Sequence, residues 1–146
     1  MNEVWDKIIK GIAAVGGAIA GIFGEWSALM TILAAVMVLD YVSGVVVAIA
    51  GKSLKTEGGH LDSKVGFKGL AKKAFIIMIV LLATLLDKAI GAEAMVFQTA
   101  TVCYYIANEG ISVVENAGLM GLPVPPVIAK ALEQMREKGE EDKGDE

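Results

Sequence analysis

The residues of this chain that could do chemistry are polar side chains set inside long apolar segments. The clearest set lies between residues 101 and 116, where hydroxyl, amide and carboxyl groups recur within a narrow arc of a helical wheel. This polar stripe consists of Thr101, Tyr105, Asn108, Ser112 and Glu115, and Tyr104, Glu109 and Asn116 widen it on both sides. Lipid does not solvate such groups. We therefore expect them to meet other copies of the same helix, water in a lumen that those copies enclose, or polar partners within one chain.

A further charge inside an apolar segment is Asp40, near the middle of residues 26–51. An acid at that depth costs about 2.5–3.5 kcal/mol on insertion scales, so we expect it to be protonated, paired or turned toward water. Gly44 shares its helical face and leaves room for a neighbouring helix. A pore or assembly contact and a structural hydrogen bond between helices both fit this pattern.

The sequence predicts neither catalysis nor a bound metal or cofactor. It holds no evident nucleophile–base pair, and its single histidine, His60, has no nearby cysteine that would complete a metal site. Cys103 is the only cysteine and lies in an apolar segment, so an internal disulfide is impossible. The net charge of −4 argues against a nucleic-acid partner, which requires a concentrated basic face.

The helices that position these residues are predicted from the distribution of apolar residues. The chain has 146 residues, 55% hydrophobic and 21% charged, and the charges cluster so that long apolar runs remain. A run of about 18 or more such residues crosses a bilayer core of ~30 Å. We predict an all-α integral membrane bundle with three transmembrane helices at 26–51, 74–91 and 94–120. A glycine-rich, membrane-associated helix precedes them at 1–25, and the charge pattern is compatible with its being a fourth span.

The polar segment 52–73, which we call the basic segment, is predicted to orient the molecule. It holds the lysines Lys52, Lys55, Lys64, Lys68, Lys72 and Lys73, opposed by only two acids. Short loops rich in lysine stay on the cytoplasmic side, and lysines there attract anionic lipid headgroups. Segment 121–146 is predicted to form a short helix behind several prolines, followed by a charged, disordered end. With three spans, this segment also lies in the cytoplasm.

Several short motifs between residues 26 and 138 match one known pattern. They are 39–45 (LDYVSGV), 63–73 (SKVGFKGLAKK), 87–88 (DK), 104–112 (YYIANEGIS), 115–117 (ENA) and 121–125 (GLPVP). With these motifs the chain resembles the phage lysis and toxin-secretion holin family of Gram-positive bacteria and their phages. The resemblance implies a small protein of the bacterial cytoplasmic membrane that assembles into large lesions. Through these a cell-wall hydrolase, or a toxin in some relatives, leaves the cytoplasm, and no catalytic residue is implied.

The sequence therefore predicts a non-enzymatic holin whose partners are further copies of itself and the lipid bilayer. An endolysin or toxin would use the lesion without necessary direct contact. The alternative is a small ion- or proton-conducting channel or transporter in which Asp40, Glu109 and Glu115 relay cations, although transporters usually show internal repeats and none is evident here. A third hypothesis is a membrane anchor for a partner bound by residues 127–146.

Overall fold

The structure, a computed structural model, describes residues 2–24 and 26–141. Its elements are α1 (Asn2–Phe23), α2 (Ala28–Ile49), α3 (Ser63–Ala89), α4 (Val96–Leu119) and α5 (Pro126–Glu141), with a 3₁₀ turn at Glu57–Gly59. These described residues contain no strand, so the predicted all-α class is confirmed for them.

Two of these helices are long and apolar enough to cross a membrane, namely α2 and α3. At 1.5 Å per residue their 22 and 27 residues span about 33 and 40 Å. The predicted third span, α4, does not meet the same criterion because the polar stripe lowers its hydropathy. The count of three spans, or four with α1, stays a prediction.

Side-chain caps and glycines set the ends of the bundle helices. Ser27 caps α2 by accepting a backbone hydrogen bond of 3.3 Å, and Asp62 caps α3 by accepting two, of 2.7 and 3.2 Å. Gly51, Gly91 and Gly121 follow α2, α3 and α4 with φ of 71°, 68° and 79°, a conformation that glycine adopts without strain. Each helix therefore begins or ends at a residue suited to that position.

Helix α4 lies at the centre of the molecule, in contact with α2, α3 and α5. The buried apolar core around it is formed by Phe23, Met30, Leu33, Met37, Ile76, Val80, Val102 and Ile106. By contrast, many large apolar side chains on the outer faces of α2 and α3 are exposed, among them Val38, Val42, Phe75 and Leu82. An apolar surface of this extent is typical of a face that meets lipid.

The N-terminal helix joins the bundle near its C-terminal end. Phe23 enters the core, Ile19 packs against it, and the Lys88 ammonium of α3 donates a hydrogen bond to the Ile22 carbonyl. A cation at the last carbonyls of a helix stabilises that end. Residues 3–18 of α1 are exposed.

The predicted short helix of the C-terminal segment is α5, which extends to Glu141. The prediction of disorder concerns the charged residues at the end of this segment. Residues 142–146 lie outside the described part of the chain.

Candidate functional site

A cluster of three charged residues, one from each bundle helix, lies between α2, α3 and α4. We call Asp40, Lys73 and Glu109 the charge cluster. The Lys73 ammonium donates to Asp40 Oδ2 at 2.6 Å and forms a second direct ion pair with Glu109 Oε2. Lys73 is buried, and the Glu109 side chain is only 1% exposed. The buried carboxylate and ammonium are thus paired with each other, which is the condition for keeping such charges out of water.

The charge cluster lies at one depth in the bundle. Asp40 precedes the end of α2 by nine residues, Lys73 follows the start of α3 by ten, and Glu109 precedes the end of α4 by ten. These separations place all three about 15 Å from the end of the bundle at which residues 50–62 connect α2 to α3. Asp40 is therefore paired, which is one of the three states expected for it from the sequence.

A second polar contact joins α2 and α4 closer to the basic segment. Asn116 Nδ2 donates to Ser43 Oγ at 2.8 Å, and Ser43 Oγ donates to the Asp40 carbonyl at 3.1 Å. A Cβ added at Gly44 would lie 3.8 Å from Asn116 Nδ2, an ordinary contact distance. Gly44 therefore faces a neighbouring helix, and that helix is α4 of the same chain.

The opposite end of the bundle is fixed by Asp87, a role that the sequence did not reveal. The carboxylate of this fully buried residue accepts the backbone N–H groups of Phe97 at 3.0 Å and Gln98 at 2.8 Å, in the first turn of α4. Gln98 Nε2 in turn donates to Thr84 Oγ1 at 2.7 Å. The free amides and positive dipole end of α4 are thereby satisfied by a carboxylate of α3.

The polar stripe divides into two parts in the structure. In the described part of the chain, the side-chain hydrogen bonds from α4 to α2 and α3 use Gln98, Glu109 and Asn116, the last two from the edges of the stripe. They leave Thr101, Asn108 and Glu115 without such a bond. The first two are half-buried and Glu115 is exposed. Part of the stripe is therefore hydrogen-bonded to the neighbouring helices of the same copy, and part is not.

The remaining stripe residues have two different surroundings. Tyr105 packs against the apolar core and meets the Tyr104 ring edge to face, with 5.3 Å between ring centroids. Ser112 and Glu115, together with Lys55, line an open cleft of about 500 Å³ between α2, α4 and the loop that joins α2 to α3. The end of the stripe nearest the basic segment therefore borders an open cleft.

The six lysines predicted to lie among lipid headgroups also differ from one another. Lys73 is buried, because its side chain faces Asp40 of α2 and Glu109 of α4. The Lys72 side chain, whose ammonium lies 3.6 Å from Glu109 Oε1, remains 63% exposed. The others are exposed, namely Lys52, Lys55, Lys64 and Lys68. For these a topological or headgroup role stays a prediction.

Comparison with known proteins identifies the family. The model of the bacteriophage holin family matches residues 17–137. This chain belongs to the bacteriophage holin family. A protein described as a probable holin of Bacillus phage phi105 is 32% identical over 77% of this chain and 77% of its own length. The family resemblance expected from the motifs is therefore confirmed.

Similar proteins also occur in bacterial genomes. An uncharacterized protein of Halalkalibacterium halodurans is 40% identical, and an uncharacterized 14.9 kDa protein of Clostridium perfringens is 33% identical. Each match covers 94% of this chain and 99% of the relative. No solved structure matches the chain.

The holin match includes every site described above. The charge cluster, the Asp87 contacts and the polar stripe all fall within residues 17–137, whereas most of α1 falls outside. Family membership, together with the two apolar helices, indicates a membrane protein.

Proposed function

We propose that this protein is a holin that assembles in the bacterial cytoplasmic membrane into lesions wide enough to release a folded protein. The released protein would be a cell-wall hydrolase or, in a secretion setting, a toxin. The observation that carries this proposal is the division of the polar stripe on α4. Its paired members hold α4 inside one copy, and its unpaired members are left for contacts between copies or with water.

In this proposal α4 is the third membrane span. It is joined to α2 and α3 at mid-depth by Glu109, nearer the basic segment by Asn116, and at the opposite end by the contact with Asp87. A helix bound at these levels to two apolar helices crosses the same layer that they cross. The basic segment and the C-terminal segment then lie on one side, which the lysine excess assigns to the cytoplasm.

The charge cluster explains how such a polar helix is accommodated. Two carboxylates face the buried Lys73 ammonium, and Lys72 adds a second cation near Glu109. Pairing offsets much of the cost of placing these groups in a bilayer. The single copy can therefore be inserted and stable while Thr101, Asn108 and Glu115 still lack partners.

Contacts between copies would supply these missing partners at high surface density. A polar side chain in lipid gains more from a partner than one in water does, because no water competes for its hydrogen bonds. Above a critical density, association through the unpaired stripe would therefore become favourable, and water could enter between the copies. This gives a sharp onset of lesion formation.

The ion-channel alternative is less well supported by the geometry. A relay of cations through Asp40, Glu109 and Glu115 needs carboxylates that are free to exchange their ligands. Two of these three are held by Lys73, and only Glu115 lines the open cleft.

Induced expression with a co-expressed wall hydrolase and a cytoplasmic reporter protein tests the proposal. The wild-type protein should release the reporter, and Asn108→Ala combined with Glu115→Ala should delay or abolish release at equal membrane levels. Thr99→Ala is the matched control, because Thr99 is an exposed α4 residue outside the stripe. Collapse of the ion gradient with full retention of the reporter would instead support the channel.

A further inference from the structure

Helix α5 folds back along α4 and contacts it through a glycine on each helix. A Cβ added at Gly110 of α4 would meet Leu132 Cδ2 of α5 at 2.7 Å. A Cβ added at Gly139 of α5, which is buried, would meet Tyr104 Cβ at 2.8 Å and the Ala100 carbonyl oxygen at 3.1 Å. Real Cβ atoms essentially never approach a neighbour more closely than 3.0 Å. At Gly110 the Leu132 side chain could shift to admit a Cβ, but at Gly139 the neighbouring atoms are Tyr104 Cβ and backbone, so the two helices fit there only because residue 139 is glycine.

This packing carries α5 deep into the molecule. The segment 121–125 leaves α4 at the end that carries the basic segment, yet Gly139 lies beside Ala100, nineteen residues before the end of α4. That separation corresponds to about 28 Å along the helix. If α4 spans the bilayer, docked α5 lies beside it through most of the hydrocarbon layer.

The charge distribution of α5 is unsuited to lipid. Its exposed large apolar residues, Val127 and Ile128, lie at the shallow start of the helix. Its deeper half carries charged residues with exposed or half-buried side chains, namely Glu133, Arg136, Glu137, Lys138 and Glu140. A helix facing lipid shows the reverse order, with apolar residues deep and charged residues near the headgroups.

The hydrogen bonding of Arg136 also indicates that the deeper half of α5 is unsuited to lipid. Arg136 pairs with its neighbour Glu133 at 2.5 Å, but its buried Nε has no hydrogen-bond partner among the described residues. Since α5 packs on α4, and α2 and α3 present apolar side chains outward, the molecule has a lipid-compatible side and a charged side. The charged side requires water.

We propose that α5 forms part of the wall of the water-filled lumen in the assembled holin. It docks on α4 once copies have assembled and water has replaced lipid beside that helix. In a dispersed copy α5 lies at the cytoplasmic surface, tethered by the segment 121–125. This inference rests on the proposed function, because the lumen exists only if copies assemble.

A disulfide that reports docking tests the inference directly. In full-length protein with Cys103→Ser, the pair Gly110→Cys and Leu132→Cys places two thiols in reach, since Leu132 Cγ lies 3.6 Å from the Cβ position of residue 110. The protein is reconstituted in vesicles at low and high protein-to-lipid ratio and oxidised, and the intramolecular disulfide is measured. The disulfide fraction should rise severalfold at the high ratio.

The matched control is Gly110→Cys with Ala131→Cys and Leu132→Ala, because Ala131 is exposed on α5 and Leu132→Ala removes the same contact with residue 110 that the test pair removes. Its disulfide fraction should stay low at both ratios. If the disulfide fraction of the variant with Gly110→Cys and Leu132→Cys is equal at the two ratios, or lower at the high one, the inference is overturned.

A second pair of variants tests the same idea through release. Gly139→Leu prevents close docking and should slow release of a protein-sized cargo severalfold at unchanged membrane levels, whereas Ala131→Leu should behave as wild type. Release by Gly139→Leu at the wild-type rate would contradict a lumen role for α5. Wild-type release from the same vesicles separates the two proposals: without it the holin function itself fails, and with it a failed docking test overturns the α5 inference alone.

Discussion

Replacing Lys73 with methionine should destabilise the bundle strongly, because it leaves two carboxylates without their shared cation. Methionine has nearly the length of lysine and fills the same space without a charge. Glu109 would stay almost completely buried, and the Asp40 side chain, 13% exposed, would keep little access to water. Lys72 would compensate only in part, since it already pairs with Glu109 Oε1 at 3.6 Å, its side chain is largely exposed, and it makes no ion pair with Asp40 among the described residues.

The size of the effect follows from the burial of the two acids. Removing one partner of a buried ion pair costs about 3–5 kcal/mol, because the remaining charge stays desolvated. Two carboxylates lose their cation here, so we expect the upper part of this range, about 4–5 kcal/mol. Lys72→Met should cost only about 0–1 kcal/mol, as for an exposed ion pair.

The assay is unfolding of the detergent-solubilised protein, by heat or by increasing dodecyl sulfate, with membrane accumulation in cells as a second measurement. The triple variant Asp40→Asn, Lys73→Met and Glu109→Gln removes every charge of the cluster and should recover most of the lost stability. The reasoning is refuted if Lys73→Met is as stable as Lys72→Met, or if the triple variant is no more stable than Lys73→Met.

Three further predictions separate structural from functional polar residues. Asp87→Ala should lower the free energy of unfolding by about 2 kcal/mol, since it leaves two first-turn amides of α4 without their acceptor, and an unchanged midpoint would contradict this capping role. Asn116→Leu should lower it by about 1–2 kcal/mol by removing the hydrogen bond that the Asn116 amide donates to the Ser43 hydroxyl, measured in the same way. Asn108→Ala with Glu115→Ala should change stability by less than about 0.5 kcal/mol while delaying lysis, so a large loss of stability would place these residues in the fold instead.

The apolar segments of the sequence coincide with helices because lipid imposes a strong and simple composition. The expected segment 26–51 contains the whole of α2, Ala28–Ile49, and the segment 94–120 contains α4, Val96–Leu119. Helix α3 begins at Ser63, eleven residues before the apolar segment that starts at 74. Hydropathy marks where lipid-compatible residues begin, whereas a helix begins at its cap, here Asp62, and lysine is a good helix former.

The polar stripe was predictable because it depends on helical period alone, but its partners were not. Lys73 lies 33 residues from Asp40 and 36 from Glu109, so their meeting is a consequence of tertiary packing. The available signal was chemical: isolated acids in two apolar segments need a cation, and Lys73 borders the third. The role of Asp87 had a similar chemical signal in the sequence. An acid at the end of an apolar segment, just before a tight turn, lies close to the backbone amides at the start of the next helix.

The division of the polar residues on α4 answers a difficulty that any self-assembling membrane protein faces. If every polar side chain were satisfied within one copy, no free energy would be gained by association beyond apolar packing. If none were satisfied, insertion of α4 would be strongly opposed. Pairing with Lys73 and Ser43 lowers the cost of inserting Glu109 and Asn116. Asn108, on the adjoining face, makes no such hydrogen bond within the copy, so in the proposed assembly it would gain one by association. In the proposed assembly, the stability of one copy and the attraction between copies therefore depend on different residues of the same helix, which is why mutation can separate them.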